Sequence, residues 1–246
     1  IVHYYMGKFT VDKNYPGSEG SRYNPVMHTH AQFAAMITRL DTYVGEIMDA
    51  LERKGLADNT LLIFTSDNGP HEEGGADPAF FGRDGKLRGL KRQCYEGGIR
   101  VPFIARWPKR IKAGSKSDHF LAFYDVMPTF CEILGDTGFP TAYENPHLDT
   151  DYFDGISFLP ELTGEGRQAK HDFLYWEFEE TNQLGVRMGD WKLVVKDGKP
   201  MLYDLSTDLH EDTDISAQHP DIVKKMCGII HEQHVESPDF KVTLPE

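Results

Sequence analysis

The chain has 246 residues, a formal net charge of −13 and ordinary apolar and charged fractions, which suit one large domain or one domain with a small appendage. The acidic balance excludes a general nucleic-acid binder, which needs a basic footprint. No apolar run approaches the ~20 residues of a membrane-spanning helix, and Cys94, Cys131 and Cys227 lie too far apart for a CxxC or zinc spacing, so they read as isolated thiols.

Residues 1–28 mix aromatics with Gly, Pro and Asn and predict an extended, loop-rich segment. Thr29 opens a helix in which Phe33, Ile37, Leu40, Val44, Ile47 and Leu51 share one face, with Gly55 placed to end it. "DNTLLIFTSD" is a turn and then a strand. A short apolar run after a long amphipathic helix predicts an α/β unit whose sheet is covered on both faces. Residues 72–98 are rich in Gly and charge and read as a long functional loop. "IRVPFIARWP" is a second buried strand, "AFYDVMPTFCEIL" a short helix ended by Gly135, and residues 136–165 are irregular. Past residue 170, short strand-like runs split by Gly-Asp and Asp-Gly turns predict an antiparallel sheet. "HPDIVKKMCGIIHEQH" is a final helix with Pro220 in its first turn. The organisation is a main α/β body over 1–165 with a small α+β subdomain over 166–246.

Two stretches can carry chemistry. Asp67 and Asn68 follow an apolar strand directly, where open α/β sheets bind ligands. A carboxylate and an amide carbonyl are hard oxygen ligands for Ca²⁺ or Mg²⁺. An Asp-Asn-Gly turn explains the same residues more simply, and both readings stay open. The second stretch, residues 82–100, sets Arg83, Lys86, Arg88, Lys91, Arg92 and Arg100 against Asp84 and Glu96. This basic island can hold an anion, or be a solvated loop. His71 lies beside the proposed cation ligands and could meet substrate or transfer a proton. The other histidines read as structural or surface groups. No HExxH and no G-x-S-x-G occurs.

The order "TLLIFTSDNG", a charged Gly-rich loop, then "KRQCYEGGIRVPFIARWP" resembles the sulfatase family of the alkaline-phosphatase-like superfamily. The helix "AAMITRLDTYVGEIMDALERKGLADNT", the later "FYDVMPTFCEILG" and "DGISFLPELTG", and the C-terminal "RMGDWKLV…LYDLSTDLHED" extend the likeness over nearly the whole chain. The resemblance implies an alkaline-phosphatase-like mixed sheet flanked by helices, present here in part, with a small C-terminal antiparallel sheet plus helix. It implies sulfate-ester hydrolysis, closest to bacterial enzymes acting on sulfated sugars, with aryl sulfates as the other substrate class. By position it makes Asp67 and Asn68 ligands of a divalent cation, usually calcium, and Lys91 the lysine that contacts the sulfate. His71 falls near substrate, and Arg100 receives no sulfate contact. It also implies a formylglycine nucleophile and a periplasmic or secreted setting.

Formylglycine arises from Cys or Ser in [CS]-x-P-x-R, and no Cys or Ser here has that context; nor do two aspartates stand together. In the family these elements lie upstream of the segment that matches residue 1, so the resemblance implies the C-terminal portion of a sulfatase, expected to be inactive alone, to bind calcium weakly, and to self-associate or pair with the remaining portion. The rival expectations are a phosphodiesterase or phosphonate hydrolase of the same superfamily, and a non-catalytic binding module.

Overall fold

The structure, a computed structural model, describes residues 1–20, 22–82, 87–135 and 155–246. They form two compact units: Ile1–Gly55, Thr65–Phe103 and Tyr175–Glu246 in one, Leu56–Phe64 and Ile104–Leu174 in the other.

The first unit opens with a short helix, α1 (Val2–Met6), where the sequence suggested only loop. Packing supplies what the local sequence does not. α1 lies on the long helix α2 (Thr29–Arg53), with the Tyr5 hydroxyl 2.7 Å from Thr38 Oγ1 and the Tyr5 ring stacked on Phe9. α2 begins at the expected threonine and ends before Gly55, whose φ of +66° suits the residue just past a helix. Its apolar face departs from expectation. Thr29, His30, Ala31 and Ala35 are buried, but Ile37, Leu40 and Ile47 are exposed. The periodicity is real, but among the described residues little covers its C-terminal half.

The core of this unit is an antiparallel sheet in the order β3 (Leu174–Phe178), β4 (Gln183–Met188), β5 (Trp191–Lys196) and β6 (Lys199–Asp204). The Gly-Asp and Asp-Gly turns behave as their chemistry requires. Asp197 and Gly198 both take positive φ, as a tight two-residue hairpin demands. Register pairs Val186 with Leu193 and Val194 with Met201. Alternation then puts Val194, Met201 and Tyr203 on one face, where Tyr95 packs. Leu193, Val195 and Leu202 are fully buried and alternate to the other face. Helix α6 (Pro220–Gln233) packs on β4 and β6 and buries Met226 and Ile230.

In the second unit, β1 (Leu62–Thr65) pairs with β2 (Phe103–Arg106), their terminal residues Thr65 and Phe103 falling in the first. Both strands sit where the sequence put them. They are half-buried, not enclosed on two faces, and Ile104 is exposed, because this sheet has two strands among the described residues. Helices α4 (Val126–Leu134) and α5 (Leu159–Thr163) complete the unit, α4 ending at Gly135 as expected. Asp125, 1 % exposed, accepts the Ala122 and Ile156 amides at 2.7 and 2.8 Å and meets the His171 ring at 2.9 Å. Of the irregular stretch 136–165, residues 136–154 lie outside the described residues.

Candidate active site

Strand β1 hands the chain to Ser66–Pro70, and this segment is fastened to the loop that precedes β2. The Gly69 amide donates to Gly98 O at 2.8 Å, and the Lys91 amide donates to Pro70 O at 2.9 Å. Only glycine fits at 69, because a Cβ there would overlap the Gly97 carbonyl. Residues 97–99 belong to a short helix, α3 (Glu96–Ile99). It is a turn of structure inside the segment expected to be loop.

Tyr95 anchors the second loop by packing on Val194 and Tyr203, and the Arg88 guanidinium lies 4.2 Å above the Tyr95 ring. The Cys94 amide donates to Gln183 Oε1 at 2.9 Å. Burial pushes the Cys94 thiol up to about 11, so it is an inert core group at neutral pH.

These fastenings bring the predicted residues 67, 68, 71 and 91 onto adjoining segments. Asp67 is exposed, Asn68 and Lys91 are half-buried. The Asn68 amide NH₂ donates to Gly69 O at 2.7 Å, which leaves its carbonyl oxygen as a spare acceptor. Among the described residues no hydrogen bond or ion pair engages the Asp67 carboxylate or the Lys91 ammonium. His71 Nδ1 accepts the Glu73 amide at 3.1 Å, so a neutral ring carries its proton on Nε2. The Glu73 carboxylate is held by the Tyr23 hydroxyl at 2.8 Å and by Arg92 at 2.6 Å. The Tyr23 bond, then the Arg92 bond, keep that carboxyl below its ordinary range.

The Asp67 carboxylate and the Asn68 side-chain carbonyl are hard oxygen donors of the kind a Ca²⁺ or Mg²⁺ ion takes, and among the described residues neither has a hydrogen-bond partner. They are not a whole cation site. Ca²⁺ takes six to eight oxygens, and no group of three or more His, Cys, Asp or Glu among the described residues could hold an ion. Of the basic island, Arg83 and Lys86 lie outside the described residues. Arg88 donates to Glu211 O at 2.7 Å, Arg92 is paired with carboxylates, and Arg100 is exposed, 3.9 Å from Glu96. The island is therefore mostly architecture, and Lys91 is the described cation in it that remains open to an anion.

A buried charge cluster on the same loop had no sequence signature. In the sheet register Arg187 stands opposite Lys192, a like-charge pair that is unfavourable alone. Glu96, 1 % exposed, resolves it: Oε2 is 2.8 Å from Arg187 and Oε1 is 3.2 Å from the fully buried Lys192. The Glu96 amide donates to Glu211 Oε2 at 2.8 Å, while Glu211 Oε1 is buried without a hydrogen-bond partner among the described residues. Burial drives the Glu211 carboxyl up to about 7, against the opposing pull of Lys192 and the Glu96 amide. No local signal marks these contacts, since Glu96 and its cationic partners are 91 and 96 positions apart.

Residues 2–136 match the Sulfatase family, and residues 89–236 match a family described as N-sulphoglucosamine sulphohydrolase, C-terminal. An N-acetylgalactosamine-6-O-sulfatase of Bacteroides thetaiotaomicron is 30 % identical over 217 residues, covering 79 % of this chain and 40 % of its own length. A solved sulfatase from a glycosaminoglycan-metabolising locus of the same organism shares 30 % identity with a TM-score of 0.64, over 78 % of this chain and 42 % of that one. A structure in complex with its substrate, D-glucosamine-2-N,6-O-disulfate, shares 26 % identity with a TM-score of 0.62, over 82 % of this chain and 39 % of that one. The chain thus spans less than half the length of these relatives.

Proposed function

The chain belongs to the sulfatase family, and from that premise we propose that its whole protein hydrolyses sulfate esters of carbohydrates, with a 6-O-sulfated amino sugar the first substrate to try. The observation that carries this reading is the pair of uncommitted charges, Asp67 and Lys91, on two segments joined by backbone hydrogen bonds. Sugar substrates named for two relatives, an N-acetylgalactosamine 6-sulfate and a glucosamine disulfate, support the substrate class. In this reading the protein is periplasmic or secreted, as the family likeness implies. No described helix is long and apolar enough to cross a membrane.

In this reading Asp67 and Asn68 hold part of a calcium shell. The bound ion would neutralise sulfate oxygens. Lys91 supplies a point charge to the sulfate and to negative charge gathering on the leaving oxygen. His71 presents Nε2–H toward substrate, because Glu73 occupies its other ring nitrogen. The formylglycine that sulfatases use has no counterpart here: no Cys or Ser stands in its sequence context, and no step through it is derived.

The test is turnover by the intact protein of a 6-sulfated amino sugar against a phosphodiester, with and without a chelator. Sulfate release that the chelator abolishes is expected. Lys91→Ala should lower kcat on the order of 10²-fold, the range for losing one electrostatic stabiliser, with the fold intact. Faster cleavage of the phosphodiester would overturn the sulfatase reading.

A further inference from the structure

We propose that Arg92 is a positioning residue, which holds the Lys91 turn in the conformation that presents its ammonium and does not itself bind the anion. The inference rests on the reading of Lys91 as a sulfate contact. Lys91 and Arg92 are the two central residues of a turn, closed by the Gln93 amide donating to Leu90 O at 3.0 Å. Arg92 sits there at φ +73°. That left-handed position in a turn ordinarily takes Gly or Asn, because a longer side chain is strained in it. Strain of this kind persists only where surrounding contacts over-determine it.

Here they do. Arg92 Nη1 is 2.6 Å from Glu73 Oε1, and its Nε is 2.6 Å from Glu180 Oε2. Its carbonyl accepts the Thr181 hydroxyl. One residue thus ties the Lys91 turn to the segment that fixes His71 and to the turn between β3 and β4. Two carboxylates already share the guanidinium, so its charge is consumed within the protein. An arginine placed to bind sulfate would keep its guanidinium clear of close ion pairs, as the Lys91 ammonium is among the described residues.

This makes an unusual ordering of variants. A residue that serves by its charge is rescued by lysine and not by glycine. A residue that serves by holding a left-handed turn is rescued in part by glycine, which adopts that backbone freely. The experiment compares Arg92→Ala, Arg92→Lys and Arg92→Gly with Lys91→Ala in the intact enzyme, by kcat and KM on a sulfated amino sugar. In parallel, amide hydrogen exchange at Lys91 in this chain reports its bond to Pro70 O without any need for turnover.

Arg92→Ala is expected to lower kcat about 10-fold or more, with a smaller change in KM, and to speed Lys91 amide exchange by a similar factor. Arg92→Gly should recover much of both, and Arg92→Lys less. Rescue by lysine and not glycine, or unchanged kcat and exchange in Arg92→Ala, would overturn the inference while leaving Lys91 in place. An unharmed Lys91→Ala enzyme would instead remove Lys91 from the site, and the role given to Arg92 with it.

Discussion

Lys91 and Glu96 stand on one loop, and their charges are used in opposite ways. The Lys91 ammonium is half-buried and meets no carboxylate among the described residues. The Glu96 carboxylate is buried and spans two cations from the neighbouring strands. An accessible unpaired charge costs little to keep, because water solvates it, and it stays available to a ligand. A buried charge is stable only while its partners remain. The loop therefore has a structural end, locked to the sheet through Glu96 and Tyr95, and, in the function proposed above, a chemical end at Lys91. The rigidity of the first lets the second be held in place without spending its charge on a partner.

The strongest way to break this comparison is at the structural end. Glu96→Gln leaves Arg187 and Lys192 facing each other with no carboxylate between them. Removing one partner of a buried ion cluster costs about 3–5 kcal/mol, enough to unfold a marginal chain. Urea unfolding should show a loss of that order. A loss under about 1 kcal/mol would mean that the cluster is solvated in practice, and the contrast with Lys91 would fail.

A subtler probe is Glu211, the second buried carboxyl, whose neighbours are Glu96, Lys192 and Arg88. Burial raises its pKa from 4.5 to about 7, so the folded chain binds this proton more tightly than the unfolded chain does. The sign follows from linkage. The contribution is fully present below about pH 4.5 and is lost as pH rises through about 7. Glu211→Gln keeps the group neutral throughout. It should stabilise the chain at pH 8 by roughly 2–3 kcal/mol, from the size of the shift, and change little at pH 4. Denaturant midpoints at the two pH values decide it. An equal effect at both would show that the Glu211 carboxyl titrates alike in the folded and unfolded chain, and that burial does not raise it.

Legibility in the sequence followed the range of the forces involved. Helix α2, strand β1, the Asp197-Gly198 turn and helix α6 were readable because periodicity, caps and turn residues act within a few positions. α1 was missed because only its docking on α2 makes five residues helical. The exposed half of the α2 face was missed because a pattern shows which side is apolar and not whether anything covers it. As candidate site residues, Asp67, Asn68, His71 and Lys91 could be nominated from residue type and family likeness. The hydrogen bonds that join Gly69 to Gly98 and Lys91 to Pro70 could not. Nor could the basic island be divided. Arg88, Arg92 and Lys91 look alike in sequence, and only their partners separate two structural cations from one open to a ligand.

The smallest expected effect tests the chemical end of the comparison on this chain. Asp67 is exposed and has no partner among the described residues, so Asp67→Ala should change stability by no more than about 0.5 kcal/mol in calcium-free buffer. Calcium should then separate the two chains. A ligand that binds only the folded form stabilises it by RT ln(1 + [L]/Kd). With only Asp67 and Asn68 supplied by the described residues, Kd should be in the millimolar range or weaker, as for sites with few charged ligands. At about ten times such a Kd the gain is roughly 1.4 kcal/mol, a small but measurable rise in Tm for the wild-type chain and none for Asp67→Ala. Equal rises in both would remove Asp67 from the cation shell, and Asp67 and Asn68 would then be a turn at the end of β1, the simpler alternative that their residue types allow.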